Sequence, residues 1–208
     1  MTLWDRLRQP AYARRATGAL REVYQTPVAE KSWLAVDVET TGLDASRDRL
    51  LSIGWVAVEN QDIVLAESGY VVIRSDTVIS SVGDSANLHG LTDDMIASGE
   101  EPEVGVEKLL RALRGRTLLA HYAQMELDFL SPLCKRYFGA PLKVPVADTM
   151  AFEYESMLRA GRQPQRDQLR LWSLCERYGL PRMRAHHAYA DALACAQLWL
   201  AQQSKPGI

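Results

Sequence analysis

The chain has 208 residues, 47% of them hydrophobic, with a formal net charge of −2. That length and apolar content suit one globular domain with a sizeable core and an appendage, and the near-neutral balance excludes a protein that is basic all over. No apolar run approaches the roughly 18 residues of a membrane span, the N-terminus lacks a secretory apolar core, and Cys134, Cys175 and Cys195 have no CxxC spacing, which argues against a structural zinc site and fits the reducing cytoplasm.

Residues 1–30 are locally basic, because Arg6, Arg8, Arg14, Arg15 and Arg21 outnumber Asp5, Glu22 and Glu30. Leu3, Trp4 and Leu7 have helical spacing, Pro10 interrupts it, and residues 11–24 can resume it. The segment is expected to form one or two short helices on the domain surface; a nucleic-acid arm and a partner-docking helix are the alternatives.

Residues 32–44, SWLAVDVETTGLD, run from apolar β-branched residues into a turn with Gly42, which reads as a strand entering a loop. Residues two apart on a strand share a face, so Asp37 and Glu39 point together, their Cα atoms roughly 6.5–7 Å apart, and Leu34, Val36 and Val38 take the other face. Two carboxylates this close repel each other and are costly to bury unpaired. Divalent cations would relieve both costs, and two ions ~3.5–4 Å apart could share these side chains and clamp a phosphate. A solvated edge-strand pair is the alternative.

A second strand is expected over residues 50–58, a turn at 60–62 and a third strand over 63–73, together a short antiparallel meander. His89-Gly90-Leu91-Thr92 follows, with Thr92 placed to cap a short helix. Residues 104–113 have helical spacing, 117–120 form a short buried strand, and 144–149 another strand end. Residues 157–168 are polar with Gly and Pro and are expected to be an exposed loop. A helix over 171–178 stops at Gly179, and an Ala-rich helix occupies 186–202. Strands first, then alternating helices and short strands, imply an α/β domain with a mixed sheet.

From Met125 onward the chain reads as a helix. At ~100° per residue, Phe129, Leu130, Leu133, Cys134, Tyr137 and Leu127 fill an arc from about 40° to 200°, with Glu126 near 100° and Asp128 near 300° on the polar side. A Glu in the middle of an apolar face needs a partner, either a metal or an Arg. Pro132 could kink this helix. Further on, His186 and His187 precede Asp191; helical periodicity by itself pairs His187 with Asp191 at i,i+4.

Three of these segments, in this order, resemble the motifs of the proofreading-type 3′→5′ exonucleases, the DEDDh nucleases of ribonuclease H-like fold typified by the DNA polymerase III ε subunit. Asp37-x-Glu39-Thr40-Thr41-Gly42-Leu43 is similar to the first motif, Ala120-His121 through Phe129-Leu130 to the second, and His186, four intervening residues, then Asp191 to the third. Asp148-Thr149 resembles a further family segment; Asp148 is expected to be structural and Thr149 a helix cap. The resemblance covers roughly residues 32–202. It implies a ribonuclease H-like mixed sheet flanked by helices over residues 31–203, with the helical extension 1–30 before it and a short tail, 204–208, after it.

The resemblance implies that Asp37, Glu39, Glu126 and Asp191 hold two Mg²⁺ or Mn²⁺ ions and that His186 takes a proton from the attacking water. It also implies that Thr40, Leu43 and His89 contact the terminal nucleotide of a single-stranded 3′ end, DNA before RNA. The second motif departs from the family pattern: Glu126 stands for the usual Asp, Tyr122 for Asn and Met125 for Phe. Two other readings stay open: an exoribonuclease, because nothing in the sequence reads the 2′-hydroxyl, and, from the longer Glu126, a lapsed binding module that docks a replication or repair partner through residues 1–30.

Overall fold

A computed structural model describes residues 11–75, 90–183 and 186–204. The candidate His89 lies outside the described residues. Helices α1 (Ala11–Arg15) and α2 (Gly18–Gln25) precede a sheet of five strands, β1 (Ser32–Thr40), β2 (Leu50–Glu59), β3 (Asp62–Val72), β4 (Thr117–Ala120) and β5 (Val146–Asp148), in the order β3-β2-β1-β4-β5. The first three strands form the expected antiparallel meander, and Asn60 takes the tight turn with φ of 60°. β4 and β5 run parallel to β1 on its other side, which makes the sheet mixed.

Between and after the strands lie α3 (Asp93–Ala97), α4 (Pro102–Leu113), α5 (Gln124–Phe138), α6 (Thr149–Arg159), α7 (Leu171–Arg177) and α8 (Ala188–Ser204). Thr92 caps α3 as expected, accepting from the Met95 N–H. Pro132 sits inside α5 without ending it.

The two faces of the sheet have separate cores. Leu34, Val36 and Val38 of β1 join Ile53, Trp55 and Ala57 of β2 against α2, α4 and α5. Ala35, Val56, Val58 and Leu119 face the other way, onto α7 and α8. The alternation read from the sequence is therefore the real division of β1, and it puts the carboxylates of Asp37 and Glu39 on the α8 side. The N-terminal helices pack on the first face. Ala16, Ala19, Leu20 and Val23 are buried in its core, and the Thr17 N–H donates to the Phe138 carbonyl at the end of α5. Burial of Leu20 alone is worth roughly 1.5–3 kcal/mol, so these helices contribute to stability as well as covering the surface.

The segment expected as a loop from residue 157 is helical through Arg159, and only the following residues leave helical geometry before a 3₁₀ turn, Arg166–Leu169. The buried stripe of α6 is Thr149, Glu153 and Met157. Two of the three are polar, so apolar periodicity misses it. Glu153 is satisfied in place by Arg177 at 3.2 Å and by the Tyr178 hydroxyl at 2.6 Å. The helix cap is Asp148 rather than Thr149: its carboxylate accepts from the Met150 and Ala151 N–H groups.

Candidate active site

β1 carries Asp37 opposite Gly54 of β2, and Glu39 opposite Ser52. A Cβ on Gly54 would lie 2.3 Å from the backbone of Ala188 and Tyr189. A glycine at this position lets the first turn of α8 descend onto the sheet, and that turn carries Asp191 to the strand carboxylates. Oxygens of Asp37, Glu39 and Asp191 all lie within 4.8 Å of one another. Glu39 and Asp191 are buried and Asp37 is half-buried.

Glu126, in the first turn of α5, is 3% exposed, and its Oε2 finds no hydrogen-bond partner among the described residues. Asp128 is exposed and accepts from the Gln124 side chain at 2.6 Å. The wheel drawn from the sequence therefore separates the two acids as the structure does. Glu126 is not in the compact group of three. It adjoins Asp37 closely enough to act on its charge.

Burial pushes the Asp37 carboxyl well above the usual range, and the charges of Glu126, Asp191 and Glu39 push it further. Burial likewise raises Glu126 to about 8, with Asp148 adding to the effect and a backbone N–H opposing it. Burial and mutual repulsion of this kind are compatible with a site that takes up a divalent cation.

The turn from β4 into α5 is held from below. Asp148 accepts from the Tyr122 N–H at 3.1 Å and the Ala123 N–H at 2.9 Å, while Tyr122 takes a left-handed φ of 70°. His121 is clamped between the Thr149 hydroxyl and the Leu169 carbonyl, both at 2.8 Å. Burial lowers its pKa, so the ring is neutral and structural. The structural role expected of Asp148 thus has a specific form: one carboxylate fixes both the α5 turn and the start of α6.

The loop after β1 is tied by Asp48, which accepts from the Thr41 hydroxyl at 3.1 Å and the Asp44 N–H at 2.8 Å. A Cβ on Gly42 would meet the Asp48 carboxylate at 2.4 Å. Thr40 is buried and its hydroxyl donates to the Gly42 carbonyl at 2.6 Å. Leu43 is 86% exposed at the loop tip. His186 and His187 both precede α8. His186 is exposed, with φ of 61°, and its backbone N–H donates to Asp191 Oδ2 at 3.0 Å. His187 instead stacks on Tyr70, ring centroids 4.7 Å apart and planes 23° apart. Tyr70 and Gly54 were not identified from the sequence; the only signal for them is the hairpin register that the turn at Asn60 imposes.

The exonuclease family matches residues 34–199 of the chain. The DNA polymerase III ε subunit of Treponema pallidum is 33% identical over 171 residues, covering 81% of this chain and 74% of that protein. The PolC-type DNA polymerase III of Thermotoga petrophila is 29% identical over 177 residues, 85% of this chain but 12% of the polymerase. Among solved structures, the zinc-bound complex of E. coli exonuclease I with single-stranded DNA superposes with a TM-score of 0.71 at 15% identity, over 85% of this chain and 41% of that one. The same enzyme with a dT13 oligonucleotide gives 0.70 at 16% identity. These likenesses show the fold, a ribonuclease H-like mixed sheet. The chain belongs to the exonuclease family, among the 3′→5′ exonucleases similar to the DNA polymerase III ε subunit.

Proposed function

We propose that the chain is a metal-dependent 3′→5′ exonuclease that shortens single-stranded nucleic acid, with DNA favoured, and releases nucleoside 5′-monophosphates. The observation that carries this reading is the convergence of Asp37, Glu39 and Asp191 within 4.8 Å. The donor set fits a hard divalent cation: the ligands are oxygens, Glu126 offers a buried Oε2 without a hydrogen-bond partner among the described residues, and the Asp37 carboxyl is raised first by burial and then by the negative charges around it. Asp37, Glu39, Glu126 and Asp191 would hold two ions, Mg²⁺ or Mn²⁺. Such ions, when bound, stabilise charge developing on the phosphoryl oxygens and on the departing 3′ oxygen.

The chain's own groups supply the rest. His186, exposed beside Asp191, takes a proton from a water as the water oxygen bonds to the last phosphorus. The bond from that phosphorus to the 3′ oxygen of the preceding nucleotide breaks, that oxygen takes a proton from solvent to become the new 3′-hydroxyl, and the terminal nucleotide leaves carrying the 5′-phosphate. The Thr40 backbone and the exposed Leu43 side chain would hold that nucleotide in line. The relatives named as replicative polymerase subunits, and the single-stranded DNA in the exonuclease I complexes, support DNA as the substrate and replication or repair as the setting. A protein partner would meet the exposed Arg14, Arg15 and Arg21 of the N-terminal segment. Among the described residues no helix is long and apolar enough to cross a membrane, and the cytoplasm is the proposed location.

Digestion of 5′-labelled DNA and RNA single strands, with and without chelator, tests this. The expected result is a ladder that shortens from the 3′ end, faster on DNA, and stops in EDTA. Undiminished cleavage in excess EDTA would overturn the metal-dependent reading, and faster loss of RNA would make the chain an exoribonuclease.

A further inference from the structure

His186 takes a left-handed backbone conformation, φ of 61°, that residues other than glycine rarely adopt. Such a conformation persists only where its surroundings hold it in place. One anchor is the His186 N–H to Asp191 Oδ2, at 3.0 Å. A second lies on the next residue, where the His187 ring stacks on Tyr70 with centroids 4.7 Å apart. His187 Nδ1 is buried without a hydrogen-bond partner among the described residues, and the stack on Tyr70 is a contact that orients the ring.

Tyr70 is well placed to serve as that support. Its register on β3 pairs it with Gly54 of β2, which pairs with Asp37 of β1. The three residues form one row across the sheet, and the first turn of α8 lies directly on the middle one. His187, just before α8, then lies over β3, where Tyr70 receives its ring. Burial raises the Tyr70 phenol, with the Ser52 side chain opposing the shift and the Glu39 charge adding to it.

We propose that Tyr70 is a positioning residue for hydrolysis: by stacking on His187 it holds the loop that presents His186 to the substrate. The proposal rests on the reading of His186 as the proton acceptor.

The test is kcat and KM on a labelled single strand for the wild type, Tyr70→Ala, Tyr70→Phe, His187→Ala and the Tyr70→Ala/His187→Ala double variant. Loss of an aromatic pair of this geometry supports about a tenfold fall in kcat. That fall is expected for each alanine variant, with KM changed less than about twofold, since the loop acts on the chemical step. Tyr70→Phe keeps the ring and should keep activity. The double variant should be no worse than either single variant, because both remove the same stack. In a His186→Ala background, Tyr70→Ala should cost nothing further. Multiplying losses, a rise in KM at constant kcat, or a Tyr70→Phe loss equal to that of Tyr70→Ala would overturn the proposal. Should Tyr70→Ala not fold, His187→Ala on the loop side of the stack reads the same contact. An inactive wild type would overturn the exonuclease reading; an active wild type indifferent to Tyr70→Ala and His187→Ala would overturn this proposal alone.

Discussion

Asp37 and Glu39 stand on the central strand of the sheet, buried or half-buried and packed under α8, whereas His186 stands on an exposed loop in a strained backbone conformation. The two regions meet through Asp191, which contributes oxygens to the carboxylate group and accepts the His186 N–H. Under the proposed function, the difference follows from what each region would do. Groups that converge on a cation have to be fixed to within fractions of an ångström, and a sheet with a helix pressed on it supplies that fixity. A group that exchanges protons with water needs access to solvent. The carboxylate region therefore stores electrostatic stress, while the histidine region stores backbone strain.

Variants can break that contrast from either side. The largest effect is expected from the carboxylates. Glu126→Gln keeps shape and removes charge, and should nearly abolish turnover in a strand-digestion assay. On the loop side, His186→Ala should lower kcat by roughly 10²–10⁴-fold, the usual cost of a lost general base, with divalent-metal binding intact. His187→Ala should cost far less; the reverse order would make His187, paired with Asp191 at i,i+4, the working base.

A smaller effect separates charge from chemistry. The Glu126 pKa rises from its ordinary 4.5 to about 8 in the folded chain. A group raised on folding stabilises the fold below its unfolded pKa, and that contribution is lost as pH rises through the folded value. Metal-free wild type should therefore lose stability relative to Glu126→Gln as pH climbs from about 5 to about 9, read as a widening gap in Tm, and saturating Mg²⁺ should narrow the gap. A gap that does not change with pH would mean that Glu126 is not compressed. The smallest effect is expected from Asp128→Asn, two residues away on the exposed side of α5, where activity should stay within about twofold because a surface substitution of this kind is close to neutral.

Much of the site could be read from the sequence because it obeys simple periods. The two-residue repeat of a strand puts Asp37 and Glu39 together, and the 3.6-residue repeat of a helix buries Glu126 and exposes Asp128. A helix start is legible at Asp148-Thr149, but the length of α6 is hidden because its buried stripe is polar, Thr149 and Glu153 with Met157, and its satisfaction comes from Arg177 and Tyr178, far away in the chain. Tyr70 is hidden for a different reason. Its meaning depends on the pairing of three strands and on where α8 lands, which no local pattern encodes. His121 resembles a motif residue, yet its two ring contacts, to Thr149 and Leu169, come from later elements and make it structural.

The central claim is that the strand and helix carboxylates form one divalent-metal site that drives exonuclease action. Calorimetric titration of Mn²⁺ into the wild type and into Asp37→Asn and Asp191→Asn tests it most directly. Saturable binding by the wild type, abolished or greatly weakened in both variants together with strand digestion, is the predicted result. Binding of equal strength in all three proteins, or strand digestion that survives either substitution, would contradict it.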